Sequence, residues 1–369
     1  MPHHRHMFRR RDFLSAIGAA VAAGNGVRLA TAAEENTPPL KELGRRKGIL
    51  VGAAILNRMI QESVARQQIL RDCSILTSVG EMKWDSLRPS EDRFQFAGAD
   101  AFVQFAEQNH IAVHGHTLLW YQALPPWFSA VVNGRNASDH MTRHIETVVQ
   151  RYRSRIQYWD VVNEVISPKS GRADMLRDSP WLRFLGPDYI ELAFHIARAA
   201  DPEATLVWNE DDLESDTEYS RTKRRTVLNL LRSLRKKQVP VEGFGLQAHL
   251  KPGFNKSNRD YLDFLRALKD TGVKLLISEL DVIDTAIPAE GRDEAVASLY
   301  YDFVSATCRI FRPASLQVWE LSDSRNWLDT FMPSWGRPDG LPHRPAVLDD
   351  NYLPKPALRK LQQALEEVQ

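Results

Sequence analysis

The chain has 369 residues, of which 43% are hydrophobic and 26% charged, with 48 basic against 47 acidic side chains. This is the composition of a soluble globular enzyme, and no uninterrupted apolar stretch in its body is long enough for a membrane-spanning helix. The near-neutral balance excludes the electrostatic footprint of a nucleic-acid or anionic-lipid binder and points to an uncharged partner.

Residues 1–32 differ from the rest. A basic start, Arg9-Arg10-Arg11-Asp12-Phe13-Leu14, is followed by the small apolar run Ala16 to Ala23 and then by Ala30-Thr31-Ala32. A positive region, an apolar region and a small-residue cleavage site form the order of an export signal. The paired arginines before Phe13-Leu14 resemble a bacterial twin-arginine signal. The expected location is therefore periplasmic or extracellular. His3, His4 and His6 fall in the disposable part. Without these residues the chain carries 43 basic and 46 acidic side chains, and the mature form is expected to need no membrane. Residues 33–48 read as a linker, and 49–369 as one catalytic domain.

Apolar strand candidates then follow in order: Ile49–Ala54, Ser74–Ser78, Ile111–His116, Gln157–Asn163, Thr205–Asn209, Gly243–Ala248, Lys274–Glu279 and Leu316–Trp319. Amphipathic stretches alternate with them at Asn57–Leu70, Ala99–Gln108, Asp139–Arg151, Pro187–Ala200, Thr217–Lys236, Arg259–Asp270 and Asp293–Arg309, and Ala357–Val368 closes the chain. Eight strands, each followed by a helix, predict an α/β fold with a single (β/α)8 TIM barrel. Cys73 and Cys308 lack metal-site spacing and are read as free thiols, although export would permit a disulfide.

Strand after strand ends in hydrogen-bonding side chains: His114 and His116, Asn163 and Glu164, Asn209 and Glu210, Gln247 and His249, Glu279 and Asp281, then Trp319. In a barrel these ends meet at one rim, where active sites are built. Two of the runs, Trp159 to Glu164 and Leu275 to Asp281, are β-prone and end in glutamate. A carboxylate is costly to bury and asks for a reason. A pair of them across one cleft is the equipment of glycoside hydrolysis.

Six segments carry a resemblance: Glu81-Met82-Lys83-Trp84, Gly115-His116-Thr117-Leu118-Leu119-Trp120, Trp159 to Glu164, Gly245-Leu246-Gln247-Ala248-His249, Ile277 to Asp281 and Val318-Trp319. In this order they resemble glycoside hydrolase family 10, the retaining endo-β-1,4-xylanases, from about residue 49 to 358. The resemblance implies that Glu164 is the general acid/base and Glu279 the nucleophile, with His249 donating to Glu279 and Asp281 orienting His249. It implies sugar contacts from Lys83, His116, Asn163 and Gln247. Trp84, Trp120, Trp319 and Trp327 are candidate platforms for pyranose faces, with core packing the competing role at Trp84 and Trp120. No metal or other cofactor is expected, the partner is xylan or its oligosaccharides, and the protein is expected to be a monomer.

Some positions depart from the family pattern. Val79-Gly80 stand where it has Glu-Asn, Tyr121-Gln122-Ala123 where it has His-Ser-Gln, and Asn209-Glu210-Asp211-Asp212 where it has Asn-Asp-Tyr-Asn. These changes touch substrate grip and leave the catalytic pair intact. Hydrolysis of another β-linked glycan or plant glycoside is thus the alternative activity, and a non-catalytic sugar-binding barrel the alternative from outside enzymology.

Overall fold

The computed structural model describes residues 38–369, so the export signal expected at 1–32 lies outside the described residues. Eight parallel strands form the body: β1 (Leu50–Ile55), β2 (Ile75–Ser78), β3 (Ala112–Gly115), β4 (Tyr158–Asn163), β5 (Thr205–Glu210), β6 (Gly243–Leu246), β7 (Lys274–Val282) and β8 (Ser315–Trp319). Each pairs with its sequence neighbours, and β8 pairs with β1 in the register Ala54↔Trp319, which closes the barrel. Their interiors are almost wholly buried, with burial on both faces of β5 and β8. Continuous apolar runs are what a parallel sheet covered by helices requires.

The longer helices are α1 (Leu40–Lys47), α2 (Ser63–Asp72), α3 (Ala97–Gln108), α4 (Ala137–Arg151), α5 (Tyr189–Ala200), α6 (Glu218–Lys236), α7 (Arg259–Asp270), α8 (Arg292–Ile310) and α9 (Pro356–Glu366). They place apolar stripes on the barrel: α7 buries Tyr261, Phe264, Leu265 and Leu268 at helical spacing. Several boundaries differ from the sequence reading. Within the expected linker, residues 40–47 form α1, which packs into the body through buried Leu40 and Leu43 and whose first amide donates to Asp72 Oδ1 at 2.9 Å. The single helix expected over 57–70 is a 3-10 turn, Asn57–Ile60, followed by α2. The sixth strand stops at Leu246, because Ala248 adopts a left-handed backbone, φ 63°, while its amide donates to Glu214 Oε1 at 3.0 Å. A two-residue strand, His249–Leu250, then pairs with Asp281–Val282 and extends β7 beyond its expected end at Glu279. Both cysteines are free thiols.

Candidate active site

The site lies at the C-terminal ends of the strands, and the backbone there is bent to aim side chains. Glu164 follows β4 with φ 55° and Glu320 follows β8 with φ 64°. A left-handed backbone on a non-glycine residue costs about 1–3 kcal/mol and collects at functional sites. Glu164 is held in place by its amide, which donates to Asn209 O at 2.9 Å.

Glu164 and Glu279 join one amide network. Asn163 Nδ2 and Gln247 Nε2 donate to Glu164 Oε1 at 3.3 and 3.2 Å. Asn209 Nδ2 donates to Asn163 Oδ1 at 2.9 Å and to Glu279 Oε1 at 2.7 Å. The two carboxylates are thus bridged by the side chains of Asn163 and Asn209. Asn209 is itself fixed by Ser278 Oγ, which donates to its Oδ1 at 2.7 Å. Gly245 makes room for it, since a Cβ there would sit 2.1 Å from Asn209 Oδ1. On the far side of Glu279, His249 Nε2 lies 3.2 Å from Oε2, and His249 Nδ1 lies 2.7 Å from Asp281 Oδ1. Trp327 Nε1 donates to the other oxygen of Asp281 at 2.6 Å.

These surroundings split the two acids. Burial pushes the Glu164 carboxyl up to about 7, and the charge of Asp211 adds to the rise against the opposing pull of Arg177. Burial would raise Glu279 as well, but the hydrogen bond from His249 and the charges of His116 and His249 outweigh it and hold that carboxyl below its ordinary value. Asp281 is the reason His249 can do this: although burial opposes it, the charge of Asp281 and its hydrogen bond hold the imidazole well above its usual range. One group is poised to give a proton and the other to stay ionised, the division that acid and nucleophile need.

The remaining expected residues divide by position. His116 is buried with Nδ1 2.8 Å from Asp160 Oδ2, and its ring meets Trp319 edge-on at 5.8 Å. Lys83 places its ammonium 4.9 Å from the centre of the Trp120 ring, close enough to Glu279 and Glu164 for their charges to oppose the lowering effect of burial on its pKa. Trp120 is half-buried at the rim. Trp319 and Trp327 flank His249 at 6.1 and 4.9 Å. Trp84 is the exception. It is 2% exposed, stacks on His144 at 3.9 Å and donates through Nε1 to Leu118 O, so it packs the core and offers no face to a sugar.

Several further residues, to which the sequence assigns no role, belong to the site. Asp160 accepts from both His114 and His116, at 2.9 and 2.8 Å, and a carboxylate inside the apolar run of β4 is its signal. Asn209 ends β5 as the other polar residues end theirs. Arg177, in the loop after β4, has no such signal. Its Nε donates to Glu164 O at 2.6 Å, and its Nη2 lies 3.9 Å from Glu164 Oε2 and 3.5 Å from Asp211 Oδ1. Tyr121 lies under its guanidinium. Lys223 of α6 pairs with Asp211 and, at 2.7 Å, with Glu210 Oε2.

This cluster sets a pH dependence. If Glu164 is the general acid, its protonated form is the active one, and activity is expected to fall as pH rises through its pKa. Asp211→Asn removes a neighbouring negative charge and leaves Arg177 and Lys223 less neutralised, and both changes favour the ionised acid. The alkaline limb of kcat/KM is therefore expected to move to lower pH while the acid limb, set by Glu279, stays. Rate profiles of the two proteins on one oligosaccharide check this.

Comparison with known proteins agrees with the geometry. Residues 39–364 match the sequence profile of glycosyl hydrolase family 10. Endo-1,4-beta-xylanase B of Thermotoga neapolitana is 31% identical over 341 residues, spanning 89% of this chain and 92% of its own. An endo-1,4-beta-xylanase of Geobacillus stearothermophilus is 34% identical over 328 residues, 83% of this chain and 93% of its own. The crystal structure of xylanase 10B from Thermotoga maritima superposes with a TM-score of 0.79 at 32% identity, covering 89% of this chain and 98% of that one. The xylobiose complex of xylanase 10B from Thermotoga petrophila RKU-1 gives the same TM-score at 30% identity, covering 89% and 97%. With its barrel, its paired glutamates and this match over most of its length, the chain belongs to glycoside hydrolase family 10.

Proposed function

We propose that the protein is an endo-β-1,4-xylanase that cleaves the xylan backbone with retention. The observation that carries the reading is the opposed tuning of two glutamates tied into one amide network. Glu164 gives its proton to the glycosidic oxygen as the Glu279 carboxylate attacks the anomeric carbon. The bond to the leaving oxygen breaks and a glycosyl ester forms on Glu279. Glu164, now ionised, takes a proton from a water molecule whose oxygen attacks the same carbon. The ester breaks, Glu279 returns to its carboxylate, and two inversions restore the original anomer. Asn209 and His249 hold Glu279 aligned through both steps, and Asn163 stands beside both acids, where a sugar hydroxyl next to the anomeric carbon would bind.

The enzyme is further taken to act as a monomer outside the cytoplasm, without a membrane in its mature form. The support for export is the order of charges and small apolar residues over positions 9–32. The deciding experiment is product analysis on defined xylo-oligosaccharides, with proton NMR of the first anomer formed, beside a panel of other β-glycans. Initial release of the β-anomer from internal bonds is the expected result. Inert xylan together with cleavage of another β-glycoside would replace the substrate, and initial α-anomer would remove Glu279 from the nucleophile role.

A further inference from the structure

Beyond Trp327 the aromatic surface continues. Trp335 ends a short 3-10 turn, Pro333–Trp335, and its ring centre lies 5.9 Å from that of Trp327 at 65°. Its residue surface is 37% exposed, and that of Phe331 on the neighbouring turn is 62% exposed. The inner end of this run is the catalytic cluster, because Trp327 bonds Asp281 and packs 4.9 Å from His249, which contacts Glu279. The run connects to the site through the supports of Glu279, whereas Arg177 and Asp211 flank Glu164.

The segment that carries Trp335 is anchored. Its carbonyl accepts from Thr285 Oγ1 at 3.0 Å and from His343 Nε2 at 3.2 Å. His343 is buried and its Nδ1 contacts Asp284, a carboxylate just past β7. Arg337 pairs with the same carboxylate at 3.3 Å and donates to Ile287 O at 2.8 Å. An indole that is left open to solvent while its backbone is held by a buried polar network is a pre-formed surface, and such surfaces bind with little loss of conformational freedom. Its chemistry is specific: a flat, electron-rich face with no charge suits the C–H face of an uncharged pyranose.

We infer that Trp335 is a sugar platform, an outer subsite that stacks a xylose unit of the substrate on the nucleophile side of the cleft, beyond the unit held by Trp327. The inference rests on the xylanase reading and adds a residue that determines preferred chain length. The test compares wild type, Trp335→Ala and Trp335→Phe on a series from xylobiose to xylohexaose, with melting curves to confirm folding. Loss of one stacking contact is expected to lower kcat/KM by about two- to tenfold on the longer oligomers, to leave the shortest cleaved substrate unchanged, and to shift cleavage position. Trp335→Phe should recover most of the loss. Equal loss at every length, or none at any, overturns the subsite, as does a Trp335-dependent self-association seen by light scattering with unchanged kinetics. Wild type inactive on the whole series would instead overturn the xylanase reading, and this inference would fall with it.

Discussion

Glu279→Ala is expected to lower turnover of xylan at least ~10⁴-fold, since no other group can form the ester and a nucleophile acts as a unit with its acid. The protein should still fold. Each neighbour keeps one partner, Asn209 Nδ2 its bond to Asn163 Oδ1 and His249 Nδ1 its contact with Asp281, although each loses the bond it made to Glu279. The variant also removes a carboxylate that is 5% exposed and must stay charged against its burial, which offsets part of the cost of the two lost bonds, so any fall in stability should be small. Oligosaccharide binding should survive, because Trp319, Trp327, His116 and Lys83 are untouched. Steady-state kinetics, calorimetric titration with xylohexaose and a melting curve measure the three parts. Turnover within tenfold of wild type removes Glu279 from the nucleophile role, and lost affinity with the fold intact makes it a binding residue.

The barrel was readable because its strands are apolar runs, most of them with polar residues at one end. Two forces decide that pattern, burial on both faces and a shared rim. The boundaries were less readable where a distant residue sets them. Nothing within Gly243–Ala248 reveals that Glu214 will take the amide of Ala248 and end the sixth strand. The helix Leu40–Lys47 was missed because it is short and contains Gly44. That glycine is there for packing, since a Cβ would lie 2.4 Å from Val51 Cγ2. Short helices owe their stability to such tertiary contacts more than to propensity.

The site was legible to the same degree. Residues inside a strand's end or just past it, such as Glu279 in β7, Glu164 after β4 and Gln247 after β6, are carried to the rim by the strand. Trp84 follows β2 as well, but the four-residue helix Trp84–Leu87 turns its ring inward onto His144 and Trp181. A rim tryptophan and a core tryptophan look alike in a sequence. Arg177 was invisible for the opposite reason: it comes from an irregular loop and is recognised only by the groups it meets, among them the backbone and carboxylate of Glu164, Asp211 and the ring of Tyr121.

Glu164→Ala separates the two chemical steps. Without the acid, departure of a sugar alkoxide should slow by about 10²–10⁴-fold, the usual scale of general acid catalysis. An aryl xyloside needs no proton to leave, so its ester should still form on Glu279 and then accumulate, because water has lost its base. A small anionic nucleophile such as azide needs no base, and should accelerate turnover of the aryl substrate and give the β-glycosyl azide. The pH profile carries a second test. Other buried carboxyls are raised toward neutrality, among them Glu214 pushed up to about 7 and Glu320 to about 8, in both cases chiefly by burial. If Glu164 is the acid, its alanine variant loses the alkaline limb on the aryl substrate while Glu214 and Glu320 remain to titrate. An alkaline limb that persists at the same pH assigns it to another group, one of those two or His249, whose charged form supports the Glu279 carboxylate. Glu320→Gln and Glu214→Gln then tell which, since Glu320 sits beside Asp281 and acts on the nucleophile's support, whereas Glu214 holds the backbone of Ala248, next to His249.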